Sequence, residues 1–455
     1  MKQRWIGLSL VLVLFFTATV MAYSKNSDVS NVKVRPVAGE PGKPGKKVKI
    51  SFWFANITPD REAGFKELIR IFEKQNPDIE VDFLGIPGDS RQKLDMAIAA
   101  NEAPDCSDIV QFAMPSYIAR KSLVRLDGYY SKWTEKNQVV PAALDTVRSF
   151  DPSGKKRLFG LPMASNIWVL WARPDWFAEA GLEMPKTWDD FFRAVKVLSD
   201  KKAGRYGIAL RGGAGGGTTL EYLMYSYSGI TKYFTADGKC TINDPKHVEF
   251  VEKYLGLYGN YTAEGDLNNG WTELAAAFQS GRAAMVFHNL GSSSAHAKIF
   301  SNDTAKFAAV PLPMGDKGYN VHPALSVSGY VMYSNSKHKN ETWKFISYLC
   351  SAEPAGVSAK FIGIMPMHKQ ALKAPWVQEL PYFKMAADLL ASPKTRFYEA
   401  PINYPEYSSI MSSKIEPMIQ QVMVKRLSAK DFLDQWARLM IQMKKDYGKY
   451  SNLAN

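Results

Sequence analysis

From residue 48 the chain alternates between two hydrophobic periods. Residues 48–54 (VKISFWF) are rich in apolar and β-favouring side chains, which predicts a strand. Residues 61–75 then place Phe65, Leu68, Ile69 and Phe72 on one helical face, and Asn76 and Pro77 stop that helix. A second strand is predicted over 79–83, a helix over 90–100 and, past Ala103-Pro104-Asp105, a third strand over 109–112. Strand and helix alternating at this spacing predict a parallel sheet with helical crossovers. Ligands bind such sheets beyond the carboxyl ends of the strands, which points to residues 53–58 and 111–115.

Residues 160–198 contain a complete run of local elements. Leu161 and Pro162 are expected to close a turn, and the apolar residues 167–171 predict a strand. Arg173-Pro174-Asp175 breaks that strand; Asp175 is expected to cap a short helix over 176–180, and Gly181 to end it. Thr187, with Asp190 three residues on, forms a variant of the capping box. Phe191, Phe192, Val195 and Leu198 follow at helical spacing.

This stretch resembles the signature of the family 1 extracellular solute-binding proteins, the sugar receptors of ABC importers. In that family a GLP turn, a strand ending in aromatic-Asn-Lys-Asp-Leu-Phe, an EAGL turn and a PKTWDE helix start come in this order. Here the strand end reads Trp171-Ala172-Arg173-Pro174-Asp175-Trp176-Phe177, and the asparagine is lost. KISFWF with FKELIRIFEKQNPDIEV, KLDMAIAANEAPDCSDIVQF, AFQSGRAAMVF, FAAVPLPMGDKG and SVSGYVMYSNSKHKNETWKFISYLCS are similar to further elements of the family, in the family's order.

The resemblance implies an α/β, two-lobed periplasmic binding protein fold of type II kind. Each lobe is expected to be a mostly parallel sheet flanked by helices, with hinge strands crossing near 163–166, 324–328 and 364–367. Closure of the lobes around a ligand is the implied motion. A chain of 455 residues is too long for one ordinary core, which agrees with two domains. The expected division is 48–164 for lobe one, 165–326 for lobe two, 327–365 for a return to lobe one, and 366–455 for carboxyl-terminal helices of lobe two.

The amino-terminal residues change the compartment. Lys2 and Arg4 precede an apolar run over 6–16 and then Val20-Met21-Ala22, the layout of a signal peptide cleaved near Ala22. The run is short for a membrane span. No cysteine follows the cleavage point, so a free periplasmic protein without a lipid anchor is expected. Residues 23–47, with KNSDVSN and GEPGKPGKK, read as a flexible linker.

The net charge is +13, but the basic residues are spread along the chain and no nucleic-acid motif accompanies them. A solvated basic surface is expected, and no nucleic-acid partner. Cys106, Cys240 and Cys350 are odd in number and widely spaced, which is no disulfide framework; whether two of them pair is left open. No zinc spacing, HExxH or GxSxG occurs, so neither a cofactor nor catalysis is expected.

Sugars offer flat apolar faces with hydroxyls at the rim. A receptor answers with aromatic rings for the faces and Asn, Gln, Asp or Arg for the rim. On that chemistry Trp53 and Asn56, after the first strand, and Gln111, after another, are candidate ligand contacts. Asn166 and Trp168 share one side of the interlobe crossing, whereas Trp171 faces the other side, towards core.

In GIALRGGAGGGTT, residues 207–210 predict a strand, and the glycines that follow predict a cleft wall able to form an anion-holding nest, with Arg211 as an anchor. Trp271 precedes a helix over 273–279. Asn289 follows a strand over 283–287, in a turn where many relatives carry tryptophan and this chain has Gly291-Ser292-Ser293-Ser294. Arg396, ahead of Pro401, resembles a family segment that nears the cleft. The bland alternatives are core for the tryptophans, a turn for Asn56, a surface loop for the glycines and a structural salt bridge for Arg396.

The implied function is a monomeric periplasmic receptor that binds a sugar, oligosaccharide or sugar derivative and delivers it to an ABC permease. Arg211 and Arg396, if both line the cleft, lean toward an acidic sugar or a hydroxyl-dense oligosaccharide. A secreted carbohydrate-active enzyme, or a receptor feeding a sensor, remain the alternatives.

Overall fold

The computed structural model describes residues 47–451, apart from 89, 110–112 and 324–325. The signal-peptide assignment, most of the linker and Gln111 therefore lie outside the described residues.

Strand β1 (Val48–Ala55) buries Ile50, Phe52 and Phe54 on one face and leaves Lys49, Ser51 and Trp53 on the other, the period of two that its sequence carries. The chain returns through the Pro59–Gln75 helix, which Thr58 caps by accepting from Arg61 N and which buries Phe65, Leu68, Ile69 and Phe72. Strand β2 (Ile79–Ile86) pairs parallel to β1, and β3 (Cys106–Ile109) pairs parallel to its other edge. The third strand thus starts before residue 109, because Cys106, Ser107 and Asp108 already pair.

Of the remaining strands of this sheet, one runs with β1–β3 and two run against them. Strand β4 (Gly160–Asn166), β9 (Ser326–Met332) and β10 (Met365–Pro366) complete the order β10-β4-β9-β3-β1-β2, with β3–β9, β4–β9 and β4–β10 antiparallel. The second sheet, β6 (Met285–Asn289), β5 (Trp168–Ala172) and β7 (Ala308–Val310), is antiparallel at both pairings. The first sheet is therefore mixed and the second antiparallel, rather than mostly parallel. A chain that leaves one lobe and returns to it lays its outgoing and incoming strands side by side in opposite directions.

β8 (Asn320–Pro323) and β11 (Thr395–Tyr398) form a separate parallel ribbon. The three crossings fall at the end of β4, around the start of β9 and at β10, with 324–325 outside the described residues. His368 and the bridge between Val139 and His368 keep the chain after β10 on the first sheet's side, where His368 Nε2 lies 2.9 Å from Glu135 Oε2.

Some local expectations are corrected. Leu161 and Pro162 lie inside β4, not in a turn; the register slips between Pro162 and Ala164, where proline has no N–H to give the ladder. The short helix is Pro174–Glu179, with Arg173 rather than Asp175 at its cap. Asp175 stands in the first turn, accepts from Trp176 N at 3.0 Å and pairs with Arg173 at 2.6 Å. Residues 207–210 form no strand; Ala209 makes a single parallel bridge to Val286.

The capping box of Thr187 and Asp190 is present, and the Trp188–Val197 helix buries Phe191 and Val195. Two apolar cores flank the second sheet: Val169, Trp171 and Val286 face one, and Leu170, Ala172, Met285 and Phe287 the other. Among the described residues no helix is long and apolar enough to cross a membrane.

Cys106, Cys240 and Cys350 are buried free thiols, and burial pushes each above the ordinary thiol range. A thiol reagent is expected to react with none of the three in the native protein and with all three in denaturant; fast native labelling would contradict this burial. Thr187→Ala is expected to lower unfolding stability by about 1 kcal/mol, read by denaturant titration.

Candidate functional site

Asn166 ends β4, and Trp168 opens β5, with Ile167 alone between the two sheets. Ile167 O accepts from Leu290 N at 3.0 Å, which pins the β6 turn against the crossing. In the register of β5 with β6, Trp168 stands opposite Asn289 and Val169 opposite His288. These pairings bring together residues more than a hundred positions apart in the chain.

An aromatic run forms the wall. The Trp168 ring packs on Tyr222 at 4.5 Å and reaches His288 at 6.4 Å, and His288 packs on Trp271 at 4.5 Å. Trp271 opens the Trp271–Gln279 helix and is 40% exposed, so its ring remains available at the surface of the run. His288 Nε2 lies 3.3 Å from Trp271 O, while His288 Nδ1 is buried with no partner among the described residues. Burial, and then the nearby Arg211 charge, push the His288 pKa down to about 3, so the ring is neutral.

Beside this run, Asn166 Oδ1 is also buried without a partner among the described residues. Asn289 Oδ1 accepts from Gly291 N at 3.0 Å, so that oxygen already serves its own turn. A Cβ at Gly291 would stand 2.9 Å from Asn289 Oδ1 and 3.2 Å from Asn166 Oδ1. Glycine leaves room there for the two amide oxygens that converge on it.

The glycine-rich loop does not form an anion nest. Gly212 N donates to Asp266 O and Gly213 N to Asn269 O, both at 3.0 Å, and Gly215 N donates to Glu416 Oε1 at 2.7 Å. Gly212 and Gly213 instead allow the backbone of 266–269 to approach: an added Cβ would lie 2.3 Å from Leu267 O and 2.4 Å from Asn268 O respectively. Gly216 and Gly217 already belong to the Gly216–Ser228 helix.

Arg211 folds back over this loop, with Nε on Ala214 O at 2.7 Å and its guanidinium against Gly215. Burial pulls its pKa down, while Tyr222, Glu416 and Glu273 oppose that shift. It stiffens the wall and has two carboxylates nearby, which removes the support it lent to an acidic ligand.

In the first lobe, Trp53 lies two residues inside β1, half-buried, with Lys93 Nζ 5.1 Å over its ring. Asn56 is exposed with φ +53°, in the left-handed region that asparagine tolerates. Its carbonyl accepts from Arg61 Nη1 at 2.8 Å, and Arg61 Nη2 donates to Ile362 O at 2.8 Å. The next residue, Gly363, sits where a Cβ would meet Ser293 Oγ at 3.4 Å. Arg61 thus ties the first-lobe loop to the segment that abuts the Gly291–Ser294 turn of the second lobe.

Asn166, Trp168, Arg211, Trp271 and Asn289 therefore come together, joined by Tyr222 and His288, which the sequence reading missed. Arg396 does not join them. Its Nη1 donates to Pro393 O and Thr395 O, and its guanidinium lies 4.4 Å from the Tyr319 ring. Backbone carbonyls and a ring, rather than a carboxylate, hold it. Phe397, its neighbour on β11, lines a small cavity with Asn166, Trp168 and His322 instead. The tyrosine inside an apolar helix and the histidine inside a buried strand carry no local signal of a site.

His288 binds a proton in the unfolded chain near pH 6.5 and in the folded chain only near 3, so its share of stability is present above 6.5 and lost as pH falls through that window. His288→Asn is expected to flatten the acid-side decline between pH 6.5 and 4 in urea titrations; an unchanged slope would show the ring to be accessible to protons.

The chain matches the model of the bacterial extracellular solute-binding protein family over residues 56–356. A putative binding protein of Brucella abortus is 25% identical over 371 residues, covering 77% of this chain and 84% of that protein. The mannitol-binding protein of Pseudomonas aeruginosa is 25% identical over 263 residues, covering 56% and 58%. In structure, an ABC transporter solute-binding protein of Thermotoga lettingae, bound with α-D-tagatose, superposes with a TM-score of 0.75 at 22% identity, covering 88% of this chain and all of that one. With the family model spanning most of the chain and the two-lobed fold shared, this protein belongs to the bacterial extracellular solute-binding proteins.

Proposed function

We propose that this chain is the receptor of an ABC importer and that it binds an uncharged sugar or polyol against the wall built from Trp168, His288 and Trp271. The observation that carries this reading is the pairing of an edge-to-face and tilted ring cluster with two neutral acceptors that lack a partner among the described residues, Asn166 Oδ1 and His288 Nδ1. A sugar's apolar face fits the rings, and its hydroxyls can satisfy buried atoms that otherwise pay an unmade hydrogen bond. Mannitol and tagatose, named for two similar proteins, are small neutral polyhydroxy compounds of that kind.

The opposing lobe contributes Asn56, Trp53 and Gln111, and binding favours the closed form because contacts come from both sides. The lobe ranges 48–164, 165–326 and 327–365 serve as the working division, and 366–455 is given to lobe two apart from the residues around His368, which stay with the first sheet. The partner is a membrane permease, the protein acts as a monomer in the periplasm, and residues 1–22 direct its export. It performs no chemistry on its ligand: the carboxylates beside the wall, Glu273 and Glu416, each accept from a backbone N–H, at Gly270 and Gly215.

Calorimetry and thermal shift with D-mannitol, D-tagatose and maltose test the reading. At least one is expected to bind and raise the melting temperature, with compaction seen by X-ray scattering. Trp271→Ala is expected to weaken that binding by about tenfold, roughly 1.4 kcal/mol, with little loss of stability because the ring is part-exposed. Arg396→Ala is expected to leave affinity unchanged. Absence of binding by every carbohydrate in a wide library, or accumulation of reducing ends, would overturn the proposal.

A further inference from the structure

One turn of the Gly216–Ser228 helix carries both a wall residue and a fully buried acid. Tyr222 packs on Trp168, and its neighbour Glu221 is 0% exposed on the far side, inside the second lobe's core. Tyr398 OH and Tyr407 OH both donate to Glu221 Oε1, at 2.9 and 2.8 Å. Glu221 Oε2 is buried, and the Tyr233 hydroxyl, also buried, faces the same carboxyl as a third donor.

The groups facing this carboxyl from the packed elements are Tyr225 on its own helix, Tyr233 and Cys240 from the following loop, Tyr398 from β11 and Tyr407 from the Tyr407–Ile410 helix. None is a cation. The nearest bases act one layer out: His247 packs on Tyr225 at 4.6 Å, and Lys444 reaches Cys240 only through its field. Burial pushes His247 down to about 4, so it is neutral too. An ionised carboxylate here is fully buried among hydroxyls, with no cation among the described groups that face it, which is costly. As the neutral acid, Glu221 keeps both donors on Oε1 and can offer its own proton from Oε2.

The position of this acid matters for the wall. Glu221 holds the helix to two carboxyl-terminal segments at once, and Tyr225 reinforces the seam by stacking on Tyr398 at 4.4 Å with the rings 4° from parallel. The same helix begins at the glycine loop, and its Gly217 abuts Met411 and Ile415. Displacement of the carboxyl therefore shifts the helix on which Tyr222 supports Trp168.

We propose that Glu221 is a proton-dependent positioning residue: as the neutral acid it locks the helix that supports the binding wall to β11 and the 407–410 segment, and its ionisation loosens that seam and weakens ligand binding. The binding half of this proposal rests on the site reading above. Burial raises the carboxyl from 4.5 to about 7, so the stabilisation is complete below pH 4.5 and is lost as pH rises through about 7.

Three measurements on the full chain test it, each comparing wild type with Glu221→Gln. In denaturant titrations the unfolding constant of wild type should rise relative to the variant by up to about tenfold per pH unit between the two values. At matched pH above 7, amide exchange in the 216–228 helix should run faster in wild type than in the variant. Affinity for D-mannitol and D-tagatose should fall between pH 6 and 8 in wild type and stay flat in the variant.

Parallel stability curves overturn the proposal, as does divergence in stability with unchanged helix exchange. If sugar binds and its pH dependence is the same in both proteins, the coupling to ligand is overturned. If neither sugar binds at any pH, the site reading fails, while stability and exchange still decide the role of the carboxyl. Should Glu221→Gln fold poorly, Tyr407→Phe provides the second variant: loss of a donor that favours the ionised form should move the wild-type stability loss to higher pH, and an unmoved profile counts against the cage.

Discussion

The passage of the chain from one sheet to the other within a single residue constrains everything around the site. Asn166 pairs with Ser326 in the first sheet, and Trp168 pairs with Asn289 in the second. Ile167 has no slack to absorb, since its carbonyl is bonded to the β6 turn. The backbone at this crossing is paired to both sheets at once. In a hinge motion about such a point the residues at the pivot move least.

Desolvation, more than charge, sets the chemistry of the wall. The chain carries +13 overall, yet the groups nearest the aromatic run are neutral or locally balanced. His288 is driven to the uncharged ring by burial, and Arg211 is turned onto its own loop with Glu273 and Glu416 close by. Asp266, which binds Leu210 N under the glycine loop, is pushed up to about 6 for the same reason. A surface whose polar groups are buried and uncharged discriminates by hydrogen-bond count, because a ligand lacking the right hydroxyl leaves an acceptor unpaired. Glu221 extends the same physics into the core, where a carboxyl without a cation is stable only as an acid.

The glycines and tyrosines of the second lobe divide the labour of positioning. Gly212 and Gly213 bring two backbones into contact where any side chain would clash, and Gly291 leaves room for two amide oxygens. The tyrosines do the opposite, filling space between helix, ribbon and carboxyl-terminal segment while the Tyr398 and Tyr407 hydroxyls donate to the buried Glu221. The wall that results is built of neutral rings and amides, with the Arg211 charge held on its own loop.

Much of the fold was legible in the sequence, because local periodicity and caps are written in neighbouring residues. The strand at β1, the amphipathic helix after it and the box at Thr187 and Asp190 needed no knowledge of distant partners. Asn166, Trp168 and Trp271 were recognisable as site candidates from their residue types beside a crossing and a helix start. Strand direction, the fate of the 207–219 loop and the exclusion of Arg396 were not, since each depends on which backbone lies alongside: Asp266 and Asn269 for the glycines, Tyr319 for the arginine. Tyr222, His288 and Glu221 stand in ordinary apolar runs, and only burial beside residues far away in the chain turns one into a support, one into a neutral acceptor and one into a proton-holding seam.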